Sequence, residues 1–143
     1  YLNCRSLSMD IKLVIDSRFN PARIIGMDRA NNRVVHLGLD GKFIGVVKEG
    51  LLLPACVHIH GDWAVIGELR GRVTILDKKG NIYAQVGGNS KKDEIGTNRT
   101  PPTKWREGIV TAPHGITCNA KGDIFVAEWN ITGRVHRFNH VLN

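Results

Sequence analysis

The sequence predicts an all-β chain built from repeated four-stranded units, and three observations carry that prediction. First, one short phrase recurs: Asn32-Arg33-Val34-Val35-His36, Gly71-Arg72-Val73-Thr74-Ile75 and Gly133-Arg134-Val135-His136-Arg137, each a turn residue leading into a strand. Second, Arg33 and Arg72 stand 39 residues apart, and Arg72 and Arg134 stand 62 apart, which is the same period plus one polar insertion. Third, β-branched runs bounded by Gly, Asn and Asp recur throughout, whereas apolar residues never repeat at helical spacing for more than about two turns. A period of about 40 residues is that of β-propeller blades. That architecture hosts many unrelated activities, so it constrains chemistry far less than shape.

Taken in order, the first unit places strands at residues 11–15, 23–27, 33–37 and 43–47. Phe19-Asn20-Pro21 starts a turn, Asn31-Asn32 tolerates positive φ, and Asp40-Gly41 is a hairpin signal because its glycine reaches left-handed dihedrals without a Cβ clash. The second unit repeats the plan at 55–59, 63–67, 72–76 and 82–86, punctuated by Gly61-Asp62, Arg70-Gly71 and Lys79-Gly80-Asn81. The third gives strands at 114–118, 124–128 and 134–138, its fourth strand expected to be missing or truncated before Asn143. These units make one partial propeller domain over residues 1–143, with blades at about 11–48, 53–87 and 110–143.

Between the second and third units, about residues 88–108, runs a polar insertion containing Lys91-Lys92-Asp93-Glu94 and Pro101-Pro102. Its composition forbids a core strand and leaves two readings open, a lid or binding loop and a mobile excursion. Trp105 is the residue in it that asks for a packing partner, and with it the site for a ligand.

At 143 residues and 42% hydrophobic, the chain is long enough to bury a core. Its formal charge of +7 favours anionic partners, but the basic residues are scattered, with Lys78-Lys79 and Lys91-Lys92 the only basic doublets. No aromatic-rich basic stripe accompanies them, so nucleic acid is not the expected partner. Cys4, Cys56 and Cys118 form no CxxC pair and read as free thiols, Cys56 and Cys118 as core filling. No stretch approaches the roughly 20 apolar residues of a membrane span, and Tyr1 to Ser6 lack the regions of a signal peptide. Compartment is left open.

Residues 112–129, from Ala112-Pro113-His114-Gly115-Ile116 to Ile124-Phe125-Val126-Ala127-Glu128-Trp129, resemble an NHL repeat, whose typical form is Pro-x-Gly-Ile-Ala-Val-Asp, a Gly-Asn turn, then Ile-Tyr-Val-Ala-Asp. The second unit matches more loosely, and the first keeps only its later half, Asp28 to Lys42. The resemblance implies a six-bladed propeller, of which three blades are half. Exposing a blade face of on the order of 500 Å² forfeits roughly 12 kcal/mol at about 25 cal/mol per Å². Either further blades belong to a longer chain, or two copies pair as a dimer that completes the ring.

The resemblance also implies two functional classes. One is a binding or interaction module of unspecified ligand. The other is a metal-dependent hydrolase or lyase of the lactonase-like or amidating-lyase-like class, in which the histidine of a Pro-His-Gly motif ligates a divalent metal such as zinc or calcium. His114, in Pro113-His114-Gly115, is the matching residue. His58 and His60, two apart in one strand, point to one face and are candidates to supplement it. Glu128 and Glu68 hold matching blade positions, where a carboxylate serves as ligand or base, or pairs with the repeated arginines. Arg72 and Arg134 make such pairs or recognise an anion. No Gly-x-Ser-x-Gly elbow, phosphate loop or His-Glu-x-x-His motif is present.

Overall fold

The computed structural model describes residues 11–139, 141 and 142; Cys4 and the segment read for a signal peptide lie outside them. Among the described residues, eleven strands form three antiparallel sheets. The first holds β1 (Ile11–Asp16), β2 (Arg23–Asp28), β3 (Arg33–Leu37) and β4 (Phe43–Lys48). The second holds β5 (Pro54–His60), β6 (Trp63–Glu68), β7 (Arg72–Leu76) and β8 (Ile82–Val86). The third holds β9 (Pro113–Cys118), β10 (Ile124–Glu128) and β11 (Arg134–Phe138). Within each sheet the strands lie in chain order, as hairpin connections dictate. The all-β prediction of blade-like sheets holds.

The sheets stack face to face through two apolar seams. Ile25, Met27 and Val34 of the first sheet meet Val57, Ala64, Ile66 and Leu76 of the second. Val65, Val73 and Ile75, on the opposite face of that second sheet, meet Ile124 and Val126 of the third. Alternate residues of β6 therefore serve different neighbours, which is why Ala64 to Glu68 is buried without a break. Gly67 sits where the sheets approach most closely: a Cβ there would lie 2.5 Å from Cys56 Sγ and 3.2 Å from Pro113 Cβ.

The repeated phrase now has a physical meaning. Its first residue is left-handed in all three copies, with φ of 54° at Asn32, 75° at Gly71 and 66° at Gly133. Its arginine stands opposite the acid ending the preceding strand, in the registers Asp28↔Arg33, Glu68↔Arg72 and Glu128↔Arg134. Its valine is aimed at the next sheet: Val34 and Val73 are fully buried, whereas Val135 is 71% exposed.

The insertion is tethered. The amide of Gly96 donates to the carbonyls of Leu69 and Thr111, that of Ile131 donates to Asn98, and the Asn130 side chain donates to the Thr100 carbonyl. Buried Glu94 accepts from Arg106 at 2.6 Å and from Asn89. Trp105 finds its partner in Arg134, whose guanidinium lies 5.0 Å from the ring centroid, while its indole N–H donates to Thr100.

Candidate functional site

The acid–arginine pairs form the first cluster of charge. Glu68 accepts two bonds from Arg72, at 2.9 and 2.8 Å, and one each from the Thr74 hydroxyl and the Leu52 amide. Glu128 accepts from the Thr111 amide and hydroxyl, but Arg134 at 3.8 Å and His136 at 3.6 Å reach it as charges only, and Arg134 Nη1 and His136 Nε2 are buried without a hydrogen-bond partner among the described residues. Burial pushes the Glu128 carboxyl up, but His136, the Thr111 amide and Arg134 outweigh it and hold it below the ordinary range. Each acid thus ties the linker entering its blade to the blade's own hairpin. Arg72 and Arg134 are engaged in these pairs, which supports the structural reading of both.

The second cluster lies at the start of the inner strands. The register of β9 against β10 shifts between Ala127 and Glu128, so His114 occupies a bulge. A bulge re-aims the side chain of its extra residue. His114 faces a cavity of about 340 Å³ that it lines with Arg29, Leu69 and Trp129. The last three each follow the acid ending a second strand, so one blade position, repeated three times, converges on one mouth. Partial desolvation first, then the charges of Arg29 and Lys12, hold the imidazole of exposed His114 below its ordinary value and favour its neutral form.

The third cluster lies at the other end of the same strands. His58 and His60 of β5 and Cys118 of β9 bring one ligand atom each to within 4.8 Å of one another. Along β9, four residues at about 3.3 Å each separate Cys118 from His114 by roughly 13 Å. His58 and His60 thus lie beside Cys118, which also packs against the second apolar seam as its place in a first strand implied, and neither His114 nor Glu128 belongs to the group. Burial, then the neighbouring His60, lowers the His58 imidazole, and burial pushes the Cys118 thiol up to about 11. Cys56, by contrast, is buried, pushed up to about 12 by desolvation, and turned to the Gly67 carbonyl. Two imidazoles and a thiol suit zinc; calcium, which takes oxygen ligands, does not match them.

Among solved structures, the chain is similar to selenomethionine-substituted virginiamycin B lyase from Staphylococcus aureus, with a TM-score of 0.53 and 16% identity. The alignment covers 92% of this chain and 41% of that one. At this identity the likeness is one of fold: three sheets that resemble part of a propeller. No family model matches the sequence, and no curated protein matches it. No helix among the described residues is long and apolar enough to cross a membrane.

Proposed function

We propose that residues 1–143 are a partial propeller domain, three blades of a closed ring, that binds an anionic ligand at the channel mouth. The observation that carries this reading is the convergence of Arg29, Leu69 and Trp129 on the bulged His114. Arg29 and Lys12 put two positive charges in the field of that histidine, and Trp129, 45% exposed, offers an aromatic face beside them. Such a mouth repels a dication and attracts carboxylate or phosphate groups. The NHL-like wording of residues 112–129 supports the same architecture. Three blades spanning 41% of the similar propeller chain correspond to a ring of about seven, one more than that resemblance implies. Further chain would supply about four more blades to such a ring, whereas a second copy of these three would close the six-bladed ring instead.

A second reading is favoured by the neutral state of His114. An unprotonated imidazole in a cavity beside a guanidinium is a competent general base, so the completed ring acts as a hydrolase or lyase on an anionic substrate.

An NMR titration of His114 and Trp129 with citrate and with inorganic phosphate tests the binding reading. Saturable shifts at both residues, with the imidazole pKa rising on binding, are expected, and Arg29→Ala weakens them about tenfold. Shifts that do not saturate, or that survive Arg29→Ala unchanged, refute it.

A further inference from the structure

The inner strands are equivalent position by position, and that equivalence isolates one departure from the repeat. Val14 of β1 pairs with Ile25, His58 of β5 with Val65, and Ile15 and Ile59 pair with Ile24 and Ala64 as Cys118 pairs with Ile124. Between the first and second blades, Val14 and Ile59 therefore meet as part of an apolar seam. Between the second and third blades, the same two positions are His58 and Cys118. His60 stands where the first blade has Asp16, an acid already engaged by Arg18 and His36. Among the described residues, only the second seam carries three soft or borderline donors at this level of the channel.

We propose that His58 and His60 of β5 and Cys118 of β9 form a zinc site that clamps the second blade to the third. All three residues are half-buried rather than sealed, so an ion reaches them from the channel. Cys118 is a free cysteine. Tetrahedral zinc, with bonds near 2.0 Å to nitrogen and 2.3 Å to sulfur, sets its donors about 3.3 to 3.6 Å apart. Donor atoms already within 4.8 Å close to that spacing by side-chain rotation of about 1 Å, with no movement of the strands. On binding, the Cys118 thiol gives its proton to solvent and the thiolate completes the bond to the ion. The fourth position opens toward the channel and takes a water or a ligand atom. The site is separate from the His114 mouth and does not rest on its proposed role.

Titration of the chelator-stripped, reduced chain with zinc, read by calorimetry and by cobalt absorption, tests the site. The expected result is one ion per chain at micromolar affinity or better, a cobalt spectrum with a thiolate charge-transfer band, and no uptake of calcium. Cys118→Ser removes that band, and it and the double variant His58→Ala/His60→Ala each weaken zinc about a hundredfold. In the unmodified protein, zinc protects Cys118 from alkylation as located by peptide mapping, a readout independent of how the variants fold. A cobalt spectrum without the thiolate band, or alkylation of Cys118 unchanged by zinc, overturns the proposal.

Discussion

Buried carboxylates concentrate the polar energetics of single residues. Glu68 is fully buried, and each of its oxygens is occupied by Arg72 together with Thr74 or the Leu52 amide. Removing it leaves the Arg72 guanidinium, the Thr74 hydroxyl and the Leu52 amide without their acceptor at a largely buried site. Glu68→Ala is therefore expected to cost about 3 to 5 kcal/mol in urea denaturation, clearly more than Asp93→Ala, whose pair with Lys104 is exposed and screened by solvent. Equal losses at the two places would contradict the burial argument. Asp16 sets the acid limit. Burial pushes its carboxyl up, but Arg18 and His36 outweigh this and hold it well below the carboxylate range. The folded state thus favours its ionised form, so its stabilisation is complete above the ordinary carboxyl pKa near 4 and is lost as pH falls below that. Between pH 6 and pH 3 the urea midpoint of Asp16→Asn should fall less than that of the unmodified chain.

The strands and their turns were legible element by element because each is governed by neighbours in sequence. Asn32, Gly71 and Gly133 announce left-handed turns, and the β-branched runs after them have no use for helical spacing. The order of the insertion was not legible, since it depends on Glu94 finding Arg106 twelve residues away and on amides docking onto Leu69 and Thr111. The approach of Cys118 to His58 and His60 was not legible for the same kind of reason: it is made between blades, and no spacing records it, while Cys118 also packs against the second apolar seam as core filling. The two turn glycines give a direct test at this scale. Both have positive φ, so alanine costs each about 1 to 2 kcal/mol of backbone strain. At Gly133 a Cβ meets open space, whereas at Gly71 it would lie 2.5 Å from Ile95 Cγ2 and 3.2 Å from the Val110 carbonyl oxygen. Gly71→Ala should therefore lower the thermal midpoint clearly more than Gly133→Ala and raise proteolysis within the insertion.

The same equivalences bear on the two outer faces of the row of sheets. Val57 and Ile59 of the second blade pack against the first, yet Leu13 and Ile15, their counterparts in the first blade, are 48% and 55% exposed. At the other end of the row Val135 is 71% exposed, where Val34 and Val73 are sealed by the following blade. Residues chosen for a seam thus stand on both outer faces, which is the condition of a row that has not closed. Arg137 over Phe125 and its pair with Asp123 soften one face without covering it. The chain by itself is expected to run in light scattering as a dimer or larger, through contacts that include Val135. Val135→Asp places a charge on that face and should shift the distribution toward monomer while leaving the far-UV circular dichroism intact, because Val135 touches no seam within the three blades. A stable monomer of the unmodified chain would show that these faces tolerate water, and the ring would then have to be inferred from fold likeness alone.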